Sequence, residues 1–221
     1  NTLERPLADV HMRLASAMAK LRTLRRTRGL PVDDKQLAGW NALALQAFVA
    51  ASVQTGAARY ADIARGIKAY LEQTLWRDGT LYRAIVNDEP LGVVALADYA
   101  YLARALLDFA RWSQDSADFR LATEVAKAGW RDFRVANGWR REPGRALAES
   151  GLHEIFSDDS LPAPDAVLAK VSLQLARAGA DPTLSRWARA MLDRAYDTVA
   201  QNPFSHGSRL AALALAVSDG G

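Results

Sequence analysis

Cysteine is absent from the 221 residues, which excludes disulfides, thiol nucleophiles, Cys-ligated zinc and iron–sulfur clusters within this chain. Histidine occurs three times. His11, His153 and His206 stand in unlike contexts without paired ligand spacing, so no metal site is expected. A Gly-rich phosphate loop and a nucleophile elbow are missing too, and no cofactor is expected. No apolar segment approaches the length of a membrane span, and no signal-peptide pattern opens the chain. The expectation is a cytoplasmic protein with no membrane partner. Charge of one sign is also scarce: 28 Lys and Arg face 25 Asp and Glu, a net of +3. The basic excess gathers at Lys20, Arg22, Arg25, Arg26 and Arg28, where it closes the first helix and suits the negative end of its dipole. No nucleic-acid partner is expected.

What is present is apolar. Half of the residues are hydrophobic, enough for a substantial core in one domain spanning 1–221. Leu7, Val10, Leu14, Met18, Leu21 and Leu24 recur at helical spacing and predict a helix from Leu7 to Thr27. Pro31 restrains the chain next, and Asp33 or Asp34 can cap a second helix running from about Asp34 to Gln54. That helix is apolar nearly all round, the mark of a buried element. Further helices are predicted over Ala58–Trp76, Val93–Trp112, Ala117–Arg134, from Pro162 or Pro164 to Ala178, from Pro182 to Ala200, and over His206–Val217. Thr80 to Val86 alternates like a short strand, and Trp139 to Ala148, turning at Pro143-Gly144, reads as a small hairpin.

Tyr60 and Phe119 are 59 residues apart, as are Gly79 and Gly138. The repeating unit is helix, Gly turn, short strand, loop, helix, which indicates stacked helical hairpins in a solenoid or a closed ring. Alternate helices then point the same way, so the second, fourth, sixth and eighth share one rim at their starts. Unusual residues collect there: Asp33, Asp34, Trp40 and Asn41; Asp98 and Tyr99; Asp158, Asp159, Pro162 and Asp165; and His206. Each carboxylate has a capping role open to it.

Three blocks of this sequence resemble one family. They are Leu24-Arg25-Arg26-Thr27-Arg28-Gly29-Leu30-Pro31-Val32-Asp33-Asp34-Lys35 leading to Trp40-Asn41; Leu96-Ala97-Asp98-Tyr99-Ala100 with Leu106-Leu107; and Asp158-Asp159-Ser160-Leu161-Pro162-Ala163-Pro164-Asp165-Ala166. Together they are similar to the thioredoxin-domain-fused family related to spermatogenesis-associated protein 20. Ala42 stands where that family usually has glycine, and Pro162-Ala163-Pro164-Asp165 where it has Pro-Ser, a small residue and Asn. The resemblance implies an α/α toroid like those of six-hairpin glycosidases and N-acylglucosamine 2-epimerases. It implies that this chain is the toroid's C-terminal part, an all-α open arc of about four antiparallel helical hairpins with one or two short β-hairpins in its loops. The thioredoxin-like domain, the first hairpins and the family's His-Phe-Glu-Lys stretch are absent from this sequence, which makes the missing N-terminal part of the same protein a partner.

The chemistry these residues invite is carbohydrate binding or processing, glycosidase-like or epimerase-like, in which one carboxylic acid protonates a leaving oxygen and a second acts as base or nucleophile. Asp34, Asp98 and Asp159 are the candidate catalytic residues. Asp33, Trp40, Asn41, Tyr99 and Asp165 are the candidate substrate-binding residues, with Trp139 a further aromatic able to stack on a sugar. The histidine contexts weigh against an epimerase proton pair. The other reading is a non-catalytic helical scaffold whose concave face takes a protein partner. Whether the chain is an enzyme stays open at the level of sequence.

Overall fold

The computed structural model describes residues 6–29, 33–136, 138–140, 152–153 and 156–218. They fall into two compact units, 1–34 and 35–221. The first contains α1 (Leu7–Arg26), which follows Pro6 and carries Asp9 in its first turn and Arg25 and Arg26 in its last, matching the helix dipole.

The second unit is built from seven α-helices among the described residues: α2 (Ala38–Thr55), α3 (Ala58–Tyr70), α4 (Leu96–Ser113), α5 (Ser116–Phe133), α6 (Pro164–Arg177), α7 (Thr183–Gln201) and α8 (Gly207–Val217). A π turn, Leu71–Leu75, extends α3, and a 3₁₀ turn, Pro203–His206, leads into α8. Helices α2, α4, α6 and α8 pack each against the next, and α3, α5 and α7 back them. Polar links fix the directions. Arg209 pairs with Asp165 near the starts of α8 and α6, while Arg177 reaches the Leu215 carbonyl at 2.7 Å and Ser218 at 2.8 Å near their ends. These two helices are therefore parallel. In the backing layer Lys68 meets Asp118 at 2.7 Å and Arg131 meets the Gly79 carbonyl at 3.3 Å, so α3 and α5 also share a direction. The architecture is all-α, antiparallel helical hairpins with short β-hairpins in the loops, as the apolar periodicity predicts.

Helix α4 is the centre of the core, with α2, α5 and α6 packed around it. Leu96, Tyr99, Leu102, Leu106 and Leu107 on it are all but inaccessible. In the next layer Trp130 tilts against Trp139 at 5.0 Å and Trp187 at 6.0 Å, and its indole N–H donates to Ser172 Oγ at 2.8 Å. Such a large ring is buried without an orphaned polar atom.

Two helix starts and two β segments differ from the sequence expectation. Helix α2 starts at Ala38 rather than Asp34, and its N-cap, Leu37, has no side-chain cap. Helix α4 starts at Leu96 rather than Val93, because Ala95 is extended and serves as its N-cap, with the Asp98 carboxylate accepting the Ala95 N–H. The single strand expected over Thr80–Val86 is two antiparallel pairs, β1 (Trp76–Arg77) with β2 (Thr80–Leu81) and β3 (Ile85–Val86) with β4 (Glu89–Pro90). Asp78 and Gly79 have φ of 51° and 74°, and Asn87 and Asp88 have 51° and 64°, the left-handed pairs that close two-residue hairpins with the strands' own twist. A third sheet joins β5 (Arg134–Val135), β6 (Gly138–Arg140) and β7 (Leu152–His153). The expected turn at Pro143-Gly144 lies outside the described residues.

Candidate functional site

The starts of α2, α4, α6 and α8 are tied into one rim by a series of polar links. Asp98, in the first turn of α4, turns back so that Oδ2 accepts the Ala95 N–H at 2.9 Å, and Oδ1 crosses to accept the Gly39 N–H of α2 at 3.1 Å. One carboxylate thus satisfies donors at two helix starts. A Cβ on Gly39 would stand 2.8 Å from Asp98 Oδ1, so any other residue there would force that carboxylate to move. Tyr101, one turn further into α4, donates its hydroxyl to the Pro162 carbonyl at 2.8 Å, joining α4 to the segment that enters α6. Asp158 in that segment accepts the Ala163 N–H and the Ser208 N–H, each at 2.7 Å, and the Ser208 hydroxyl. Its own N–H donates to the Ser205 carbonyl at 2.8 Å. Asp165 and Arg209, both 0% exposed, form a buried ion pair between α6 and α8. Arg209 also donates to the Phe156 carbonyl at 3.0 Å and lies 3.1 Å from His206 Nδ1.

These carboxylates titrate differently because their surroundings differ. Burial pushes Asp98 above the ordinary carboxylate value, against the opposing pull of the Ala95 N–H, the Arg83 charge and the Gly39 N–H. Burial likewise raises Asp165, with the Arg209 guanidinium opposing it. For Asp158 burial also acts upward, but the Ser208 hydroxyl and the Ser208 and Ala163 N–H groups outweigh it and hold the group below the usual range.

Asp98 and Asp159 lie at the same end of the row, as expected from the alternation of helix direction. Their situations are unlike. Asp98 is a buried cap, whereas Asp159 is exposed, its N–H donating to the Leu161 carbonyl at 3.1 Å. Asp33 and Asp34 belong to the 1–34 unit, where both are exposed; the cap expected of them for α2 is supplied by Asp98 instead. Trp40 is 72% exposed in the first turn of α2, and Asn41 donates its amide to the Leu37 carbonyl at 2.9 Å. Tyr99 is buried, accepting the Leu81 N–H at 3.1 Å and donating to Asp132 at 3.2 Å, and burial pushes its phenol up to about 12. Trp139 is buried against Trp130, with no face open to a ligand. His206 ends the 3₁₀ turn rather than opening α8. Sequence reasoning missed Arg209 and Ser208. The signal for Arg209 was present, since it is the one charged residue in the apolar run Gly207–Val217.

No family model and no curated protein matches the sequence. Solved structures do match in fold. A sugar epimerase from a ruminal bacterium superposes with a TM-score of 0.58 at 17% identity, covering 77% of this chain and 46% of that one. Cellobiose 2-epimerase from Spirochaeta thermophila DSM 6192 gives 0.56 at 16% identity, covering 72% and 42%. The unsaturated glucuronyl hydrolase of Bacillus sp. GL1, responsible for degradation of glycosaminoglycan, gives 0.59 at 16% identity, covering 76% and 49%. The helical hairpins of this chain have the fold of part of an α/α toroid. The chain spans less than half the length of each of these three structures. Among the described residues no group of histidines and carboxylates could hold a metal ion, and no helix is long and apolar enough to cross a membrane.

Proposed function

We propose that this chain is the C-terminal part of an α/α toroid in a cytoplasmic, thioredoxin-domain-fused protein of the kind its three motif blocks resemble, and that it binds carbohydrate at the rim where α2, α4 and α6 start. The observation that carries this reading is Trp40. Its indole is exposed on the first turn of a helix whose backbone is pinned, one residue away, by the Gly39–Asp98 bond. A broad, solvent-facing apolar ring on a pinned backbone is suited to the CH face of a sugar ring. The fold supports the same class, since the structures it resembles are named for converting or cleaving sugars.

Turnover through Asp98 or Asp165 is disfavoured, because the oxygens of both are committed to helix starts or to Arg209. Asp159, whose side chain has no partner among the described residues, is the rim carboxylate open to a sugar hydroxyl or to an acid–base step. A protein-binding scaffold is the second reading, favoured by Phe204, 98% exposed, and Leu161, 41% exposed, which flank the starts of α8 and α6 at the same end.

Calorimetric titration of the chain and its Trp40→Ala variant with monosaccharides and disaccharides tests the proposal. The expected result is at least tenfold weaker binding in the variant, with stability changed by less than about 0.5 kcal/mol, as for an exposed side chain. Equal affinities in the two proteins would remove Trp40 from the site. Absence of any sugar binding would favour the scaffold.

A further inference from the structure

The outer side of α5 carries a cleft that the rim does not use. It encloses about 480 Å³ and is lined by Trp76 and Gly79 of the β1–β2 hairpin, Glu124, Lys127 and Arg131 of α5, and Trp187 of α7. Both indoles are fixed in place. Trp76 meets Tyr99 edge-on at 6.4 Å, and Trp187 leans on Trp130 at 6.0 Å while Arg134 lies over its ring at 4.7 Å. Two of the polar groups are fixed as well: Lys127 pairs with Asp181 at 2.7 Å, and Arg131 pairs with Asp132 at 2.6 Å. Glu124 is different, an exposed carboxylate with no side-chain partner among the described residues.

The charges of this cleft and its immediate partners are three carboxylates, Glu124, Asp132 and Asp181, against three cations, Lys127, Arg131 and the Arg134 that lies over Trp187. No excess positive charge is present to draw an anion. A concave space of this volume, walled by aromatic rings and holding a few placed donors and one unspent acceptor, has the features of a small-molecule site. We propose that the cleft is a second saccharide site that takes a neutral disaccharide, the CH face of one ring against Trp76, the other ring bounded by the wall that Trp187 forms with Arg134, and its hydroxyls donating to Glu124 and accepting from Lys127 and Arg131. The class of ligand rests on the carbohydrate reading given above; the location of the cleft is independent of it.

The test is an NMR titration of the full 221-residue chain with cellobiose, maltose and lactose, following the indole N–H resonances of its six tryptophans, each assigned by a Trp→Phe variant. Joint shifts of Trp76 and Trp187 are expected. Glu124→Ala should weaken those shifts at least tenfold in apparent Kd while leaving the melting temperature and any Trp40 response unchanged. Shifts confined to Trp40 would overturn the cleft and leave the rim standing. Shifts of Trp76 and Trp187 without Trp40 would do the reverse. No shift of any of the three at about 50 mM ligand would overturn both, since Kd would then lie beyond the range of specific sites. Tighter binding of a uronate-containing disaccharide than of the neutral ones would overturn the neutral assignment.

Discussion

Asp98, Asp158 and Asp165 all precede or open inner-row helices, yet each does something different. Asp98 is a buried acceptor shared by two helix starts, Asp165 is half of a buried ion pair, and Asp158 is a partly exposed acceptor of three bonds. Their effects on stability have opposite signs with pH. Burial raises Asp98 above its unfolded value, so its contribution falls as pH rises through that elevated value. Asp158 is held below its unfolded value, so the stability it supplies is complete above about pH 4 and is lost as pH falls through the lowered one. Asp158→Asn should therefore be less stable than the parent by about 1–2 kcal/mol near neutrality, the scale of lost hydrogen bonds to a charged group. The gap should narrow as the pH falls below the ordinary carboxylate range and the parent's Asp158 takes up its proton in turn. Urea unfolding across that range checks this, and a gap independent of pH would show that the Ser208 and Ala163 bonds do not depend on the charge.

At the scale of elements, the Asp98 carboxylate joins α2 to α4 across 59 residues of sequence. Asp98→Ala leaves the Gly39 and Ala95 N–H groups without their acceptor and should cost about 1–3 kcal/mol, measured as a shift in the denaturant midpoint. Asp159→Ala, exposed and without a side-chain partner among the described residues, should stay within about 0.5 kcal/mol. The contrast shows which part of the architecture could be read in the sequence. Helices α3 to α8 were legible because their apolar residues recur at helical spacing and because Pro, Gly and Asp punctuate them. The cap of α2 was not, because local rules choose the nearest carboxylate, Asp33 or Asp34, whereas the structure supplies one from the next hairpin. Asp78-Gly79 and Asn87-Asp88 both carry the signature of a two-residue hairpin. The strands they join are only two residues long, too short for side-chain alternation to mark each of them. Of the candidate site, the shared rim followed from alternation of helix direction, but the burial of Tyr99 and Trp139 depends on neighbours brought in by α5 and α6. The outer cleft was illegible for a similar reason: Glu124, Lys127 and Arg131 look like an ordinary solvated face until Trp76 and Trp187 are folded beside them.

For the whole molecule, the links along the rim among the described residues run between successive hairpins: α2 to α4 through Gly39 and Asp98, α4 to α6 through Tyr101 and Pro162, and α6 to α8 through Asp158, Asp165, Ser208 and Arg209. Nearest-neighbour coupling of this kind makes a chain of modules able to open from its ends without dissolving its middle. Native-state hydrogen exchange should accordingly be slowest in the centre of α4, around Leu102 to Leu107, which neighbours enclose on three sides. It should quicken through α6 toward α8, whose Leu210 and Val217 remain exposed. A single common exchange free energy for all helices of residues 35–221 would instead mark an all-or-none unit, in which the rim bonds transmit every local opening to the whole row.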